Sequence, residues 1–158
     1  MGFLEWLQST WVGVLVAESL WGYPLFETIH SIGMAMMIGS LGLINLRVLG
    51  YKPELPLFRM QQLLPLAWLG FTLNAISGTL LFTSDAVYFW GKYTFRIKMI
   101  LIILGGINAA LLGRRVFREA AASAPAPQPT VGLKWIAFSS LVFWFGAVIA
   151  GRLIAYAP

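Results

Sequence analysis

Four long stretches without Asp, Glu, Lys or Arg constrain the fold of this 158-residue chain more than any other feature. A membrane-spanning helix needs about 20 consecutive, mostly apolar residues. The stretches predict four spans at roughly 24–49, 62–84, 95–114 and 133–155, the third only if Arg96 and Lys98 extend to the interface. The expected fold is therefore all-α, an integral membrane four-helix bundle.

The composition supports a membrane protein and excludes several classes of chemistry. Hydrophobic residues make up 59% of the chain and charged residues 11%, whereas a soluble domain carries about 25% charged residues. The chain has no cysteine, which excludes disulfides, thiolate metal sites and cysteine nucleophiles. The net charge of +5 is assigned to loops that meet lipid headgroups, and no nucleic-acid partner is expected.

Residues 1–23 precede the predicted four-span domain at 24–158 and differ from it in pattern. They contain no Lys or Arg, and the uncharged run between Glu5 and Glu18 is too short to span a bilayer. Trp6, Trp11 and Trp21 are typical of a helix that lies in the headgroup region. We therefore predict an N-terminal interfacial amphipathic helix. The alternative is a fifth helix buried against the bundle.

The distribution of Lys and Arg among the loops predicts the orientation in a bacterial inner membrane. The larger group lies in the first and third loops: Arg47, Lys52, Arg59, Arg114, Arg115, Arg118 and Lys134. The opposite side carries a smaller group: Lys92, Arg96, Lys98 and Arg152. Both termini are therefore expected in the periplasm. The third loop contains a Pro/Ala-rich tract, about 120–131, which is typical of a flexible linker.

One face of the first predicted span carries an unusual set of side chains. At about 100° per residue, the following residues fall within about 80° of one another: Glu27, His30, Met34, Met37, Leu41 and Asn45. An ionisable group inside a span is costly, so His30 indicates a functional site. Asn74 in span two and Asn108 in span three are either polar partners of this stripe or ordinary interhelical hydrogen-bonding groups.

Three interpretations of the stripe remain open. In the first, His30 is an axial ligand of haem b, and Glu27 or a backbone carbonyl orients its other ring nitrogen. The sixth ligand would be a methionine or a second His30 from a neighbouring chain, or that position would be empty. In the second, Glu27 and His30 form half of an iron or copper site that only an oligomer completes. In the third, His30 hydrogen-bonds across helices and the methionines only pack.

Polar and aromatic residues of the second loop are expected near the same membrane face as His30. They are Asp85, Tyr88, Trp90, Lys92 and Tyr93. The basic residues that follow, Arg96 and Lys98, either bind cofactor propionates or lipid phosphates or simply reach the interface.

The sequence favours cofactor binding over catalysis, and no catalytic residue is assigned. The predicted cofactor-binding residues, with His30 as the metal ligand, are His30, Glu27, Met34, Met37, Asn74 and Asn108. Haem b would serve electron transfer or redox sensing in a homo-oligomer surrounded by membrane lipids. Two alternatives are an accessory or scaffold subunit of a membrane protein complex and a small transporter or proton channel. No paired carboxylates, phosphate-binding glycine loop or Ser/His/Asp arrangement supports hydrolase or nucleotide chemistry.

Several motifs in roughly residues 20–110 resemble a family of small bacterial membrane proteins of unassigned function. The more specific ones are Glu27-x-x-His30-x-x-Gly33 and Leu46-Arg47-x-Leu49-Gly50. The resemblance continues through Leu64-Pro65, Gly70-Phe71, Gly78, Phe82, Asp85-Ala86, Phe95-Arg96-x-Lys98 and Asn108. It implies a four-span helical fold in which Glu27 and His30 are matching positions. Similar proteins carry Asp where Asn45 stands and a second His where this chain reads Gly113-Arg114-Arg115, so the resemblance supplies no bis-His haem within one chain.

Overall fold

The computed structural model describes the backbone of residues 2–121 and 129–156, and the side chains of residues 2–116 and 129–156. Most of the predicted Pro/Ala linker at 120–131 lies outside the described residues. The described chain forms eight α-helices and one 3-10 turn, Gln61–Leu63. In chain order the helices are α1 Phe3–Ser9, α2 Trp11–Glu18, α3 Gly22–Leu49, α4 Leu57–Met60, α5 Leu64–Ser84, α6 Ala86–Gly91, α7 Tyr93–Ala121 and α8 Val131–Leu153.

Four helical segments in the described part of the chain are long and apolar enough to cross a membrane. They are Gly22–Leu49, Leu57–Ser84, Tyr93–Val116 and Val131–Leu153. The second segment joins α4, the 3-10 turn and α5 into one continuous span, so it begins earlier than the predicted boundary at residue 62. The predicted all-α four-helix membrane bundle is confirmed, and the protein is a multi-pass membrane protein.

The four long helices pack in the order α5, α3, α8, α7, with α3 and α8 in the middle. Their shared core is formed mainly by aliphatic side chains and one indole, with Ile44, Leu112, Leu133 and Trp144 all nearly inaccessible. The opposite faces expose large apolar side chains, such as Ile103 of α7, which is 58% exposed. Such outward faces match a bilayer, where lipid tails solvate them and the backbone satisfies its own hydrogen bonds.

The closest approach between helices is that of α3 and α5, where two glycines face each other. A Cβ atom on Gly70 would lie 2.6 Å from the backbone nitrogen of Met37 and 2.7 Å from the carbonyl oxygen of Gly33. A Cβ atom on Gly33 would lie 2.8 Å from the backbone of both Gly70 and Asn74. The two backbones are therefore in direct contact, as small residues allow in membrane helix pairs.

The loop after α3 explains why the motif around Arg47 combines a buried cation with a glycine. Gly50 ends the helix with a φ of 111°, which is in the left-handed region that favours glycine. Arg47 is only 6% exposed, and its guanidinium donates to the carbonyl oxygens of Leu55 and Pro53. The arginine therefore satisfies the backbone of the turn that leads into α4.

The N-terminal region forms two short helices instead of the single predicted interfacial helix. Thr10 interrupts the helix with an extended conformation, and its side chain caps α2 by accepting from the backbone nitrogen of Gly13 at 3.2 Å. Gly13 and Val16 are buried where α2 packs on α5, whereas Trp11 is 77% exposed. The segment therefore packs on the outside of the bundle through one face only. Its position in the headgroup region stays a prediction.

The contact between Gly33 and Gly70 predicts a large difference between two glycine substitutions. Gly70→Ala places a methyl group against backbone atoms of α3 and should destabilise the fold by about 1–3 kcal/mol. Gly39→Ala, on the exposed side of α3 with no atom within 4 Å of the added methyl, is the matched control. Unfolding in mixed detergent micelles measures both. Equal stability of the two variants would contradict the direct backbone contact.

Candidate functional site

A cleft of about 440 Å³ opens at one end of the bundle, where α3 and α7 begin and α5 and α8 end. Its volume is in the range of sites that hold small molecules and cofactors, roughly 300–1,000 Å³. Its polar lining residues are Tyr23, Glu27, His30, Ser31, Tyr88, Lys98 and Arg152. Phenylalanines from three helices, Phe82, Phe89 and Phe95, form an aromatic wall. Phe82 and Phe95 stack with ring centres 5.2 Å apart.

His30 is held against α5 by one nitrogen of its ring. Nδ1 lies 3.0 Å from the carbonyl oxygen of Asn74 and 3.2 Å from Oγ of Ser77. A carbonyl oxygen only accepts hydrogen bonds, so Nδ1 carries the proton and donates it to Asn74. In the neutral ring Nε2 is then an unprotonated acceptor, which is the form that binds metals. The ring is about 12 Å along the helix axis from Gly22, the first residue of α3.

Asn74 and Gly78 of α5 fix the position of the imidazole. The side-chain amide of Asn74 donates to the carbonyl oxygen of His30 at 2.9 Å, so the two residues are bonded in both directions. Gly78 lies beneath the ring, and a Cβ there would be 2.9 Å from Cε1 of His30. Nδ1 and Cε1 therefore face α5, and His30 also lines the cleft.

The structure brings together four of the six residues predicted to bind a cofactor. His30, Glu27 and Met34 all line the cleft, and Asn74 lies directly behind the imidazole. Glu27 was one of two groups expected to orient the ring, and the structure assigns that role to the other, a backbone carbonyl, here that of Asn74. Glu27 itself is exposed at the mouth of the cleft.

The other two predicted residues lie elsewhere. Met37 is 3% exposed in the core of the bundle, where it lines a separate small cavity together with Phe71 and Trp144. Asn108 donates to Oγ of Ser139 at 2.8 Å, which places it between α7 and α8. Both side chains therefore stabilise helix packing away from the cleft.

Sequence reasoning did not identify Arg152 or Gly78 as part of the site, and it left the role of Lys98 open. In the structure the end of the Lys98 side chain lies along Gly151 of α8, with Nζ 3.4 Å from the position a Cβ would take there. Arg152 lines the cleft beside it. Arg96, which the sequence grouped with Lys98, instead extends over the ring of Tyr93, 4.4 Å from its centre. No sequence signal could pair Lys98 with Arg152, because their proximity depends on how α7 packs on α8.

The cleft carries more positive than negative charge. Among the described side chains, no Asp or Glu oxygen lies within 4 Å of the Lys98 amine or the Arg152 guanidinium, and the ion pair that forms is at the other end of the bundle, between Lys52 and Glu54. Lys98 is half-buried in this lining, whereas Arg152 is exposed near the end of α8. The lining therefore favours an anionic group as its occupant.

A bare metal ion does not find enough ligands in this arrangement. Within the described residues, no three His, Cys, Asp or Glu side chains lie close enough together to hold a metal ion. Among the described residues that line the cleft, the candidate ligands are His30, the thioether of Met34 and the exposed Glu27. The predicted alternative of an iron or copper ion would therefore depend on ligands from a second chain.

Comparisons with protein-family models, with curated proteins and with solved structures gave no match for this chain. The chemistry of the cleft therefore has to be inferred from its own residues.

The hydrogen bonds of His30 predict a single tautomer that can be measured directly. The chain has one histidine, so ¹⁵N-histidine labelling gives one pair of ring nitrogen signals. At alkaline pH we expect the Nδ1–H tautomer, because the Asn74 carbonyl accepts that proton. Gly78→Ala should shift both signals by displacing the ring, whereas Gly39→Ala should not. A predominant Nε2–H tautomer in the unmodified protein would contradict the geometry.

Proposed function

We propose that the protein binds haem b in the cleft with Nε2 of His30 as axial ligand, and that it serves electron transfer or redox sensing in the membrane. The observation that carries this proposal is the fixed imidazole of His30, whose Nδ1 is bonded to a backbone carbonyl and which lines a cofactor-sized cleft. Metal-binding histidines characteristically donate their second ring nitrogen in this way.

The number of protein ligands also favours haem over a bare ion. A porphyrin brings four equatorial nitrogens, so one histidine is enough to hold the iron. This matches a cleft with a single imidazole and no cluster of three His, Cys, Asp or Glu side chains in the described part of the chain. When bound, haem supplies one-electron redox chemistry, and the protein sets its orientation and its surroundings.

The residues of the chain have distinct tasks in this proposal. Asn74 holds the imidazole in the ligand tautomer, and Gly78 leaves room for the ring beside α5. Phe82, Phe89 and Phe95 provide an apolar wall that excludes water from the cleft. Lowering the local dielectric in this way is one of the means by which a protein tunes a redox potential.

The sixth coordination position does not come from the same helix. Met34 is one turn from His30 on α3 and lines the same cleft. A side chain so placed cannot reach the opposite face of a porphyrin whose near face is bound by His30. A ligand from a second protomer remains the expected alternative to an open position, and with it a homo-oligomer.

We further propose that the protein lies in a bacterial inner membrane with the cleft facing the periplasm. The end of the bundle opposite the cleft carries the denser group of basic residues, among them Arg47, Arg59, Arg114, Arg115 and Lys134. The positive-inside rule assigns that end to the cytoplasm. The cleft, the N-terminal helices and the end of α8 are then on the outer side.

A haem spectrum tests the proposed function. Purified protein should show a Soret absorption band, His30→Gly should lose most of it, and added imidazole should restore it by occupying the vacated position. Met37→Leu, a substitution in the core outside the cleft, should keep the band. The variants are compared as equal amounts of monodisperse protein. Absence of the band in the unmodified protein would overturn haem binding, and a stoichiometric membrane partner found with it would favour the accessory-subunit alternative.

Single-cysteine labelling tests the orientation. The chain has no cysteine, so each variant carries one thiol. Gly91→Cys, at the exposed last residue of α6, should react with a membrane-impermeant maleimide in cells whose outer membrane has been permeabilised. Glu54→Cys, in the exposed loop between α3 and α4, should react only after lysis. The reverse pattern would place the cleft in the cytoplasm.

A further inference from the structure

The two cations of the cleft are the polar groups that the axial-ligand role of His30 leaves unexplained. Lys98 is on α7, about 7.5 Å along the helix axis from its first residue, Tyr93. Arg152 is near the end of α8, where the two helices meet the cleft. His30 lines the same cleft from α3. The cleft therefore has a basic side, formed by α7 and α8, and a metal-binding side, formed by α3.

The conformation of Lys98 shows that it is directed into the cleft instead of toward bulk solvent. Its terminal atoms Cδ, Cε and Nζ all lie against Gly151, at 3.4 Å from the position of a Cβ there. Arg96, two residues earlier on the same helix, is exposed and lies over Tyr93, outside the cleft. The two basic residues of α7 thus differ in environment. Extension of the side chain to the membrane interface explains the position of Arg96 but not that of Lys98.

We propose that Lys98 and Arg152 form a carboxylate-binding site that orients a dicarboxylic tetrapyrrole in the cleft. Haem b carries two propionates on one edge, and the cleft offers two cations on one side. Charge-assisted hydrogen bonds from an ammonium and a guanidinium to carboxylates are among the stronger polar contacts in proteins. Filling the site would also give a counter-charge to Lys98, which is half-buried and has no carboxylate partner in the described residues. This inference rests on the proposed haem function.

The proposed site makes the acid groups of the ligand a determinant of specificity. The proposed iron ligand is on α3, and the proposed carboxylate-binding residues are on α7 and α8. Substitutions can therefore remove either contact without removing the other. A tetrapyrrole without iron should still bind through Lys98 and Arg152, and it should not need His30. A tetrapyrrole whose propionates are esterified should lose the contribution of both cations.

Binding of metal-free protoporphyrin IX tests the proposal without haem ligation or activity. The protein is placed in phosphatidylcholine nanodiscs, and porphyrin fluorescence is titrated with empty nanodiscs as background. Lys98→Met and Arg152→Met should each raise the dissociation constant about tenfold, the effect of losing one hydrogen bond to a charged group. Arg96→Met is the matched control and should leave it unchanged.

A second titration uses the dimethyl ester of protoporphyrin IX. The unmodified protein should bind the ester about tenfold or more weakly than the free acid, and the double variant Lys98→Met/Arg152→Met should bind both alike. Equal affinity of the unmodified protein for acid and ester, or equal effects of Lys98→Met and Arg96→Met, would overturn the proposal. Competitive displacement of the porphyrin by added phosphatidylglycerol would assign the cations to lipid phosphate and would also overturn it.

The outcomes separate this inference from the proposed function. A Soret band that depends on His30, together with porphyrin binding that ignores Lys98 and Arg152, would keep haem binding and reject the carboxylate site. Porphyrin binding that depends on both cations, in a protein without a Soret band, would keep the carboxylate site and reject His30 as a haem ligand.

Discussion

The direct backbone contact between α3 and α5 is the constraint on which the rest of the site depends. Gly33 and Gly70 let the two helices touch, and this proximity brings the carbonyl oxygen of Asn74, a helix backbone atom, within 3.0 Å of the His30 ring. With a wider separation, a side chain or a water molecule would have to fill the gap. The same helix pair thus provides both the tightest packing in the bundle and the fixed tautomer of its one histidine.

The four spans could be predicted from sequence because the bilayer imposes a length and an apolar surface that leave few alternatives. The positions of the few charged residues were enough to bound each apolar span to within a few residues, except at the start of the second span, and α7 continues as a helix to Ala121, beyond the predicted end at 114. The division of the N-terminal region at Thr10 was not predicted, because a threonine cap is a local hydrogen bond that competes with helix continuity. The burial of Val16 likewise depends on α5, which is distant in sequence.

The candidate site was only partly predictable, since helical periodicity gives the face of a residue but not its neighbours. His30 and Met37 are two turns apart on one face of α3, yet His30 lines the cleft and Met37 is enclosed in the core. The reason is that the cleft opens where α3 begins, whereas Met37 lies farther along α3 in the core cluster of the bundle. Lys98 and Arg152 are on consecutive helices but 54 residues apart in the chain, and both line the cleft because α7 packs on α8. Their pairing is a tertiary property, which residue spacing along one helix does not encode.

The two-way bonding of His30 and Asn74 has a mechanical consequence. Because the ring donates to α5 and the backbone of α3 accepts from α5, the imidazole and the axial register of the two helices form one coupled unit. A shear of α5 along α3 by one helical turn, about 5.4 Å, would stretch the 3.0 Å contact beyond hydrogen-bonding range. A movement of α5 along α3 would therefore change the orientation of the imidazole and of Nε2. Conversely, a ligand that displaces Nε2 would strain the hydrogen bonds between the two helices.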